Sequence, residues 1–353
     1  MPGSITVAVD ANGADLGPAE VARGAAEAAA ASGVRVLLYG PARAIGPVAA
    51  GVEVVDSPIS IAKAPDPARA VRSNPDSSIV RAVAAVADGR ADALVSGGST
   101  GATLAASLFG FKRIRGVHRP ALASMVPVPA PGHPFLMLDL GANAEVRPEH
   151  LVQFAHMGAA FMEAVMDVER PRVGLLSNGG EPTKGTRDVI AAHAILAEQA
   201  ERGRINFVGN VEGFAIGTGQ VDVMVADGFA GNVSVKTMEG TSAALFGALR
   251  AAAMSSPRAR LGGVLLRPAL RRLRDQLHPE EAGGAVLLGL RHLAVVPHGS
   301  FGARGFARAI GVAARGVEHD LLARTHEHLE AAGALRSGLR EASEPAATVP
   351  DQP

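Results

Sequence analysis

The sequence predicts an α/β fold in which helices cover both faces of a doubly wound, mostly parallel sheet. Short apolar runs rich in β-branched residues alternate along the chain with alanine-rich runs of helical spacing. The apolar runs are nearly continuous in hydrophobicity, as is typical of parallel strands buried on both faces. Hydrophobic residues make up 48% of the 353 residues, which is enough for a large core. This alternation favours an α/β/α sandwich.

The predicted elements follow one another in a regular order. A strand in "SITVAVD" precedes a helix in "AEVARGAAEAAAAS", and strands in "VRVLLYG" and "VEVVDS" follow. The strand "ADALVSGG" leads to a helix from Thr100, and "FLMLDLG" leads to the helix "PEHLVQFAHMGAAFMEAV". The strand "RVGLLSNGG" precedes the helix "GTRDVIAAHAILAEQA", and "INFVGN" and "VDVMVADG" precede "NVSVKTMEGTSAALFGALRAAA". We therefore expect a single domain over residues 1–330.

A basic amphipathic segment, residues 255–283, is expected to project from this domain as a helical arm. Pro268 should kink the helix or begin a second one. An apolar face opposite arginines suits a membrane surface or a partner helix, and a surface helix packed on its own core stays open as the alternative. We expect residues 331–353 to form a disordered tail, because they lack an apolar face. The candidate membrane contacts on the arm are Leu261, Leu265, Leu266, Leu270 and Leu273.

Composition excludes several classes of protein. Lys+Arg and Asp+Glu both number 34, so the chain lacks the basic excess of a nucleic-acid-binding protein. It has no cysteine, which excludes disulfides, thiolate metal sites and a cysteine nucleophile. No basic leader with a cleavage site precedes "SITVAVD", and no apolar stretch is long enough to cross a bilayer. We expect a soluble, cytoplasmic protein.

The stretch "ALVSGGSTGATLAAS", residues 93–107, predicts a strand, a glycine loop and the start of a helix. Backbone N–H groups of such a loop, together with a helix N-terminus, bind anions. The loop lacks the lysine of a Walker motif, and no GxGxxG follows the first strand. We therefore expect it to hold a small anion such as inorganic phosphate. Its candidate residues are Gly97, Gly98, Ser99, Thr100 and Gly101.

Polar residues follow strand after strand. Ligands of doubly wound sheets bind outside the carboxyl ends of the strands, so we expect these side chains to meet at one rim. Asp-Gly and Asn-Gly pairs are also common in ordinary turns, so a purely structural role stays open for any single one of these residues. His298 in "PHGSF" is a further candidate, whereas "THEHLE" at 325–330 lacks the second histidine of a zinc motif. The rim candidates are Asp10, Asp139, Asn143, Glu181, Lys184, Asn210, Glu212, Asp227, Asn232 and Lys236.

Taken together, these motifs resemble one family, the acyl-ACP:phosphate acyltransferases of bacterial phospholipid synthesis (PlsX type). The resemblance runs from about residue 5 to about residue 315. Its most specific parts are "LDLGANAEVRPEHLVQFAHMG", "RVGLLSNGGEPTKG" and "INFVGNVEGFAIGTGQVDVMVADGFAGNVSVKTMEG". It implies the architecture of the isocitrate and isopropylmalate dehydrogenases and a reaction with neither cofactor nor metal.

The resemblance also implies a reaction. A fatty acyl group would pass from acyl-ACP to inorganic phosphate, giving acyl phosphate for phosphatidic acid synthesis. Holding phosphate beside the thioester can contribute roughly 7–11 kcal/mol, and no protein nucleophile is needed. Lys184 and Lys236, with Arg72 behind them, are the candidate cations, because lysine is rare in a chain where arginine dominates.

The remaining candidates fall into three roles. An oxyanion forms on attack and needs N–H or cationic donors, and carboxylates are expected to orient these groups or accept a proton. The candidate oxyanion donors are Asn143, Asn210 and Asn232. The candidate carboxylates are Asp139, Asp227 and Glu212. Further substrate contacts are expected from Asp10, Glu181 and His298.

Several positions depart from the family pattern. Asn12 and Ala14 are substitutions in the first loop, Ser99 stands for a usual Asn, and Phe214 replaces a usual Arg. Asn74 stands near a position where Lys is common. Loss of an Arg and a Lys would weaken the binding of an anionic substrate if those groups touch it.

Alternative functions therefore stay open. A phosphotransacylase acting on acyl-CoA would need a nucleotide pocket, and a dehydrogenase would need an arginine-rich carboxylate clamp. A degenerate, non-catalytic paralogue would act as a membrane-associated scaffold for acyl-ACP. The resemblance itself implies a homodimer loosely attached to the inner face of the membrane, with a glycerol-3-phosphate acyltransferase as its downstream partner.

Overall fold

The computed structural model describes residues 5–129 and 133–335. Within these ranges, eleven strands form one sheet. The strands are β1 (Thr6–Asp10), β2 (Arg35–Gly40), β3 (Val52–Asp56), β4 (Ala93–Ser96), β5 (Ala121–Val126), β6 (Phe135–Leu138), β7 (Val173–Ser177), β8 (Phe207–Glu212), β9 (Val223–Val225), β10 (Ala285–Leu288) and β11 (Leu293–Val296).

Eleven α-helices lie in the described ranges, together with short 3₁₀ helices at Gly213–Gly217 and Pro279–Ala282. The α-helices are α1 (Pro18–Ser32), α2 (Ala42–Ile45), α3 (Pro67–Ser73), α4 (Ser78–Ala87), α5 (Thr100–Phe111), α6 (Pro148–Met166), α7 (Arg187–Glu201), α8 (Gly228–Met254), α9 (Pro257–Gln276), α10 (Ala303–Glu318) and α11 (Leu321–Ala331). None of the described helices combines the length and apolar character that a membrane span requires.

Helices cover both faces of the sheet. One face packs against α1, α6, α7, α10 and α11. The other packs against α3, α4 and α5 over one half and against the start of α8 over the other. Strand side chains such as Val7, Leu94 and Leu136 are fully buried between these layers. The predicted α/β fold with a large, mostly parallel sheet is therefore confirmed.

The sheet consists of two halves that run in opposite directions. The strand order is β3-β2-β1-β4-β11-β10-β5-β6-β9-β7-β8. Strands pair in parallel from β3 to β11 and again from β6 to β8, but β10 and β5 are antiparallel to both of their neighbours. The carboxyl ends of β1, β4 and β11 therefore lie at one edge, called the glycine-loop edge. Those of β6, β7, β8 and β9 lie at the opposite edge, called the Lys184 edge.

The prediction that the polar residues meet at one rim was wrong. Asp10 follows β1 at the glycine-loop edge, whereas Asp139, Lys184, Asn210 and Asp227 follow or end strands at the Lys184 edge. Buried apolar runs indicate that a strand is covered on both faces, but they carry no information about its direction.

The helical arm begins earlier than the sequence predicted. Beyond its first turn α8 is scarcely buried, since only Gly228 and Gly231 are buried along its 27 residues. It packs mainly against α9, where Gly263 lies against Ala253. α9 continues through Pro268 as one helix, so the predicted second helix does not form. The arm is therefore a helix pair, α8 and α9, rather than the segment 255–283 alone.

The packed chain extends beyond residue 331, where the sequence predicted a disordered tail. Ala332 and Ala334 are buried, and their carbonyl oxygens accept hydrogen bonds from Gln199 at 3.1 Å and Gln153 at 2.8 Å. The remainder of the predicted tail, residues 336–353, lies outside the described residues.

Candidate active site

A cleft of about 660 Å³ opens over the centre of the sheet at the glycine-loop edge. The glycine loop, residues 96–101, forms one wall, and the first half of α8 forms the facing wall. Apolar side chains of Leu122, Val126 and Leu140 contribute to its lining. The cleft brings together seven residues predicted from the sequence, which are Gly97, Gly98, Ser99, Thr100, Asn232, Lys236 and His298.

The glycine loop leads into a helix N-terminus at the cleft. Ser99 is the N-cap of α5, and its Oγ accepts a hydrogen bond from the N–H of Ala102 at 3.3 Å. The first N–H groups of a helix have no partner within it, and Thr100 at the first position lines the cleft. The loop therefore offers N–H donors and the positive end of the helix dipole to an anion. Gly101 instead faces Pro67, 3.1 Å from where a Cβ would stand.

Asp10 contacts the glycine loop from beneath and does not line the cleft. Its buried carboxylate accepts hydrogen bonds from Ser96 Oγ at 2.9 Å and from the N–H of Asn12 at 3.1 Å. Ser96 Oγ in turn accepts one from the N–H of Gly98 at 3.2 Å. Burial raises the pKa of Asp10 to about 6. In this geometry Asp10 fixes the shape of the loop.

The facing wall presents an amide and an ammonium group from α8. Asp227 caps this helix, and its Oδ1 accepts a hydrogen bond from the N–H of Ala230 at 2.7 Å. Asn232 and Lys236 are one turn apart and both line the cleft. Lys236 Nζ lies 2.8 Å from Glu239 Oε2, but both side chains are exposed, so this ion pair is weak. Lys236 is therefore available to an anion in the cleft.

Sequence reasoning missed Lys63, which also lines the cleft. It lies in the loop between β3 and α3, next to Ala62, whose Cβ is only 2.4 Å from where a Cβ on Gly13 would stand. Gly13 has φ +100° and allows this close approach. Lys63 is one of only four lysines in the chain, so the rarity that singled out Lys184 and Lys236 was a usable signal.

His298 and Arg72 occupy different surroundings. His298 lines the cleft after β11, with its Nδ1 2.8 Å from Ser300 Oγ, and it is exposed. Arg72 lies on α3 outside the cleft, and its guanidinium stacks 4.9 Å from the centre of the Phe109 ring.

Asp139 organises the first turn at the Lys184 edge. Its fully buried carboxylate accepts hydrogen bonds from four backbone N–H groups, those of Leu122 and residues 141–143, at 2.7–3.2 Å. Asn143 Nδ2 donates to the same carboxylate and to the carbonyl of Pro120, both at 2.8 Å. Burial raises the pKa of Asp139. The start of α8 is hydrogen-bonded to this turn, since the N–H of Gly228 donates to the carbonyl of Asn143 at 2.8 Å.

The remaining candidates gather around the loop after β7. Asn210 Nδ2 donates to the carbonyls of Glu181 at 2.8 Å and Lys184 at 3.3 Å, and its Oδ1 lies 3.0 Å from His193 Nδ1. The side chains of Glu181, Lys184 and Glu212 are exposed. None of these residues lines the cleft.

Among the described residues, one group has metal-ligand chemistry: His118, Glu149 and His150, whose ligand atoms lie within 4.8 Å of one another. His150 Nδ1 already accepts a hydrogen bond from the N–H of Arg147 at 3.1 Å. Burial lowers the pKa of His150, and the nearby charges of Arg119 and Arg147 lower it further. These charges also oppose a bound cation, and none of the three residues lines the cleft.

Two solved structures have a similar fold. EutD phosphotransacetylase from Staphylococcus aureus matches with a TM-score of 0.59 at 17% identity, covering 89% of this chain and 94% of that one. A branched-chain phosphotransacylase from Enterococcus faecalis V583 matches with a TM-score of 0.60 at 17% identity, covering 89% and 99%. The chain therefore shares its overall α/β fold with these two structures.

Sequence comparison is more specific. The family "Fatty acid synthesis protein" matches residues 5–324. A "Phosphate acyltransferase" from Heliobacterium modesticaldum is 43% identical over 92% of this chain and 97% of its own length, and one from Desulfitobacterium hafniense is 41% identical over 88% and 93%. The chain belongs to the fatty acid synthesis protein family, and it is an acyltransferase. The resemblance inferred from the motifs is confirmed.

Proposed function

We propose that this chain transfers a fatty acyl group from acyl-ACP to inorganic phosphate in the cleft at the glycine-loop edge. The observation that carries the proposal is the joint lining of one cleft by a glycine loop, by Lys236 and by apolar side chains. This combination suits an anion beside an apolar acyl group. We propose that the chain that catalyses this reaction has the α/β/α sandwich architecture of the isocitrate and isopropylmalate dehydrogenases, with a projecting arm.

Phosphate is held, in this proposal, between the two walls. The N–H groups at the start of α5 and the Ser99 hydroxyl bind it from one side, and Lys236 and Lys63 bind it from the other. Three cationic residues, Lys63, Lys236 and Arg274, line the cleft with two carboxylates, Asp15 and Glu239. The excess of positive charge raises the local concentration of a small anion. Phosphate is already anionic at neutral pH, so an oxygen atom attacks the thioester carbonyl without a protein nucleophile.

Attack forms a new C–O bond and places negative charge on the carbonyl oxygen. Asn232 Nδ2 and Lys236 Nζ are the donors in the cleft for this oxyanion. Collapse of the tetrahedral species then breaks the C–S bond and expels the ACP thiolate, which takes up a proton. His298, which the resemblance implied as a substrate contact, lines the same cleft.

The substitutions against the family pattern are compatible with activity. Asn12 Nδ2 donates to the carbonyl of Ser57 at 2.9 Å and to Ser78 Oγ at 3.1 Å, so this residue packs the first loop. Ser99 caps α5 as asparagine would, because both are favoured N-cap residues. Phe214 lies after β8 at the Lys184 edge, where it is 65% exposed. The family's usual arginine at this position would therefore lie outside the cleft.

The test is a direct assay. Purified protein is mixed with long-chain acyl-ACP and phosphate, acyl phosphate is trapped with hydroxylamine, and free ACP is followed; acyl-CoA is run in parallel. Phosphate-dependent product from acyl-ACP is expected. Product from acyl-CoA alone would make the chain a phosphotransacylase, and no product from a folded protein would favour the non-catalytic scaffold.

The arm carries the proposed contact with the membrane. Leu261, Leu265 and Leu266 are 58–74% exposed near the start of α9, beside a basic face, whereas Leu270 and Leu273 are half-buried. Exposed apolar area next to arginines favours anionic lipid surfaces. We propose peripheral attachment to the inner membrane face, a homodimer, and delivery of acyl phosphate to a glycerol-3-phosphate acyltransferase.

Changing both Leu265 and Leu266 to Asp should abolish co-sedimentation with anionic liposomes and leave turnover in solution largely intact. Ile190→Asp, at an exposed apolar position on α7, is the matched control. Unchanged liposome binding in the double variant would refute the membrane contact.

A further inference from the structure

A second cavity of about 530 Å³, the distal groove, lies on the other face of the sheet. It runs between α6, which contributes Phe161 and Val165, and α10, which contributes Ala307 and Gly311. The side chain of Met125 in β5 is buried in the core on this face of the sheet and forms part of the floor of the groove. The groove is therefore largely apolar.

α10 contributes three arginines to the lining of the groove, of which two form ion pairs at its rim and the third, Arg315, lies beside Gly311. Arg304 Nη2 and Arg308 Nη2 both bind the Glu281 carboxylate, at 2.7 and 2.5 Å. Glu281 lies in the 3₁₀ helix Pro279–Ala282, which connects the arm to β10. These ion pairs fasten the connector to α10.

The distal groove and the cleft adjoin. They share residues at the end of β5 and in the segment before β10, both at the glycine-loop edge of the sheet. The two cavities therefore lie next to each other at this edge, one on each face of the sheet. The shared residues are Ser124, Met125, Pro127, Ala282 and Gly284.

We propose that the distal groove binds the methyl-terminal part of the fatty acyl chain, and that Gly311 determines the chain length it accepts. The inference rests on the function proposed above. The cleft must hold phosphate, the thioester and the end of the ACP prosthetic arm, so the remainder of a long acyl chain needs a second apolar space. The lining residues shared with the cleft and the largely apolar lining favour the distal groove as that space.

Gly311 is the position at which the groove can be shortened without disturbing the fold. A Cβ there would meet only Arg315 Nη1, at 4.0 Å, although the residue lies within α10. Gly283 nearby differs, because a Cβ there would stand 2.8 Å from Val312 Cγ2. A side chain at position 311 thus enters open space. Replacing the glycine by alanine should also stabilise α10 by about 1 kcal/mol, because glycine is unfavourable within a helix.

The experiment measures kcat/KM for octanoyl-, dodecanoyl- and hexadecanoyl-ACP in the parent chain and in the Gly311→Ala, Gly311→Leu and Gly311→Phe variants. Hexadecanoyl transfer should fall by about fourfold for each methylene displaced, with octanoyl transfer unchanged and the loss growing from alanine to phenylalanine. Ala84→Phe, on the exposed side of α4 and outside both cavities, is the matched control and should leave the profile unchanged.

A second measurement locates the chain end directly. Hexadecanoyl-ACP with a diazirine at the methyl end is photolysed on the parent chain, and label in peptides from α6 or α10 is expected. Label confined to α8 and α9, or an unchanged or equally lowered profile for all lengths in Gly311→Phe, would overturn the inference. If Gly311→Phe only converts a dimer into monomers, the groove is a subunit contact and the inference is wrong. Absence of turnover in the parent chain, by contrast, would refute the proposed function.

Discussion

At the glycine-loop edge, Asp10 is buried beneath the loop of residues 96–101; at the Lys184 edge, Asp139 is buried beneath the turn of residues 139–143. Asp10 ends β1 and Asp139 directly follows β6. Each carboxylate accepts hydrogen bonds from the loop above it, and Asp10 accepts one from Asn12 as well. The loop over Asp10 borders the large cleft, whereas the turn over Asp139 supports the base of α8. A buried aspartate at the end of a strand therefore supports a binding surface at one edge of the sheet and the attachment of α8 at the other.

The comparison teaches that a polar residue after a strand is not by itself a site residue. Lys184 and Lys236 both follow strands in the sequence, and both occur in motifs of the family. Lys236 reaches the cleft because α8 runs back across the sheet from the Lys184 edge. Lys184 stays in the loop after β7, exposed and outside the cleft.

The largest effect should come from Asp139→Ala. The substitution removes the acceptor of four backbone N–H groups and one of the two acceptors of the Asn143 amide, which should lower the free energy of unfolding by about 4 kcal/mol or more. Chemical denaturation measures this. Glu212→Ala, exposed at the same edge, should stay within about 0.5 kcal/mol of the parent chain. A loss below about 1 kcal/mol in Asp139→Ala would contradict a structural role for this carboxylate.

The sharpest functional contrast is between the two lysines. Lys236→Ala should lower kcat/KM by about 10²–10³, as for the loss of one donor to a developing charge. Lys184→Ala should change it by less than about threefold, because its side chain does not line the cleft. Steady-state kinetics with acyl-ACP at several phosphate concentrations checks both. A loss in Lys184→Ala that equals or exceeds that in Lys236→Ala would place the chemistry at the Lys184 edge.

The buried carboxyl of Asp10 predicts a pH dependence. Its pKa is raised from 3.8 in the unfolded chain to about 6 in the fold, so the folded state binds the extra proton between these values. The stability of the parent chain relative to Asp10→Asn should therefore be highest below pH ~4 and fall by about 3 kcal/mol as the pH rises through 6. Urea denaturation across this range measures the difference. A constant difference would show that the fold does not raise the pKa of this carboxyl.

The smallest effect compares two N-caps. Ser99 caps α5 at the cleft and Thr186 caps α7 at the Lys184 edge, each accepting a hydrogen bond at 3.3 Å. Replacement of either by alanine should cost about 1 kcal/mol of stability. Only Ser99→Ala should also raise the KM for phosphate. Equal KM values in the two variants would remove the Ser99 hydroxyl from the phosphate site.

Much of the fold could be predicted from local pattern. The spacing of apolar residues along the chain indicated the strands and helices, and the glycine loop predicted the helix N-terminus at Thr100. The reversal of the sheet could not be predicted, because it depends on how β5 and β10 pair, and their apolar runs are compatible with either direction.

The candidate site divides in the same way. The glycine loop, Asn232 and Lys236 belong to long motifs and meet in the cleft. Lys63 was missed because its place depends on the close approach of Ala62 to Gly13, a contact between segments far apart in sequence. The boundary of the arm was also missed, because the sequence of α8 does not indicate that the helix is exposed, and only the scarcity of buried residues along it shows where the arm begins.

A crystal structure of the protein with inorganic phosphate tests the central claim most directly. The account predicts a phosphate ion at the start of α5, within hydrogen-bond distance of the backbone N–H groups near Ser99 and Thr100 and facing Lys236. Phosphate bound instead in the loop of residues 179–185, against Lys184, with the glycine loop free, would contradict the account and move the site to the opposite edge of the sheet.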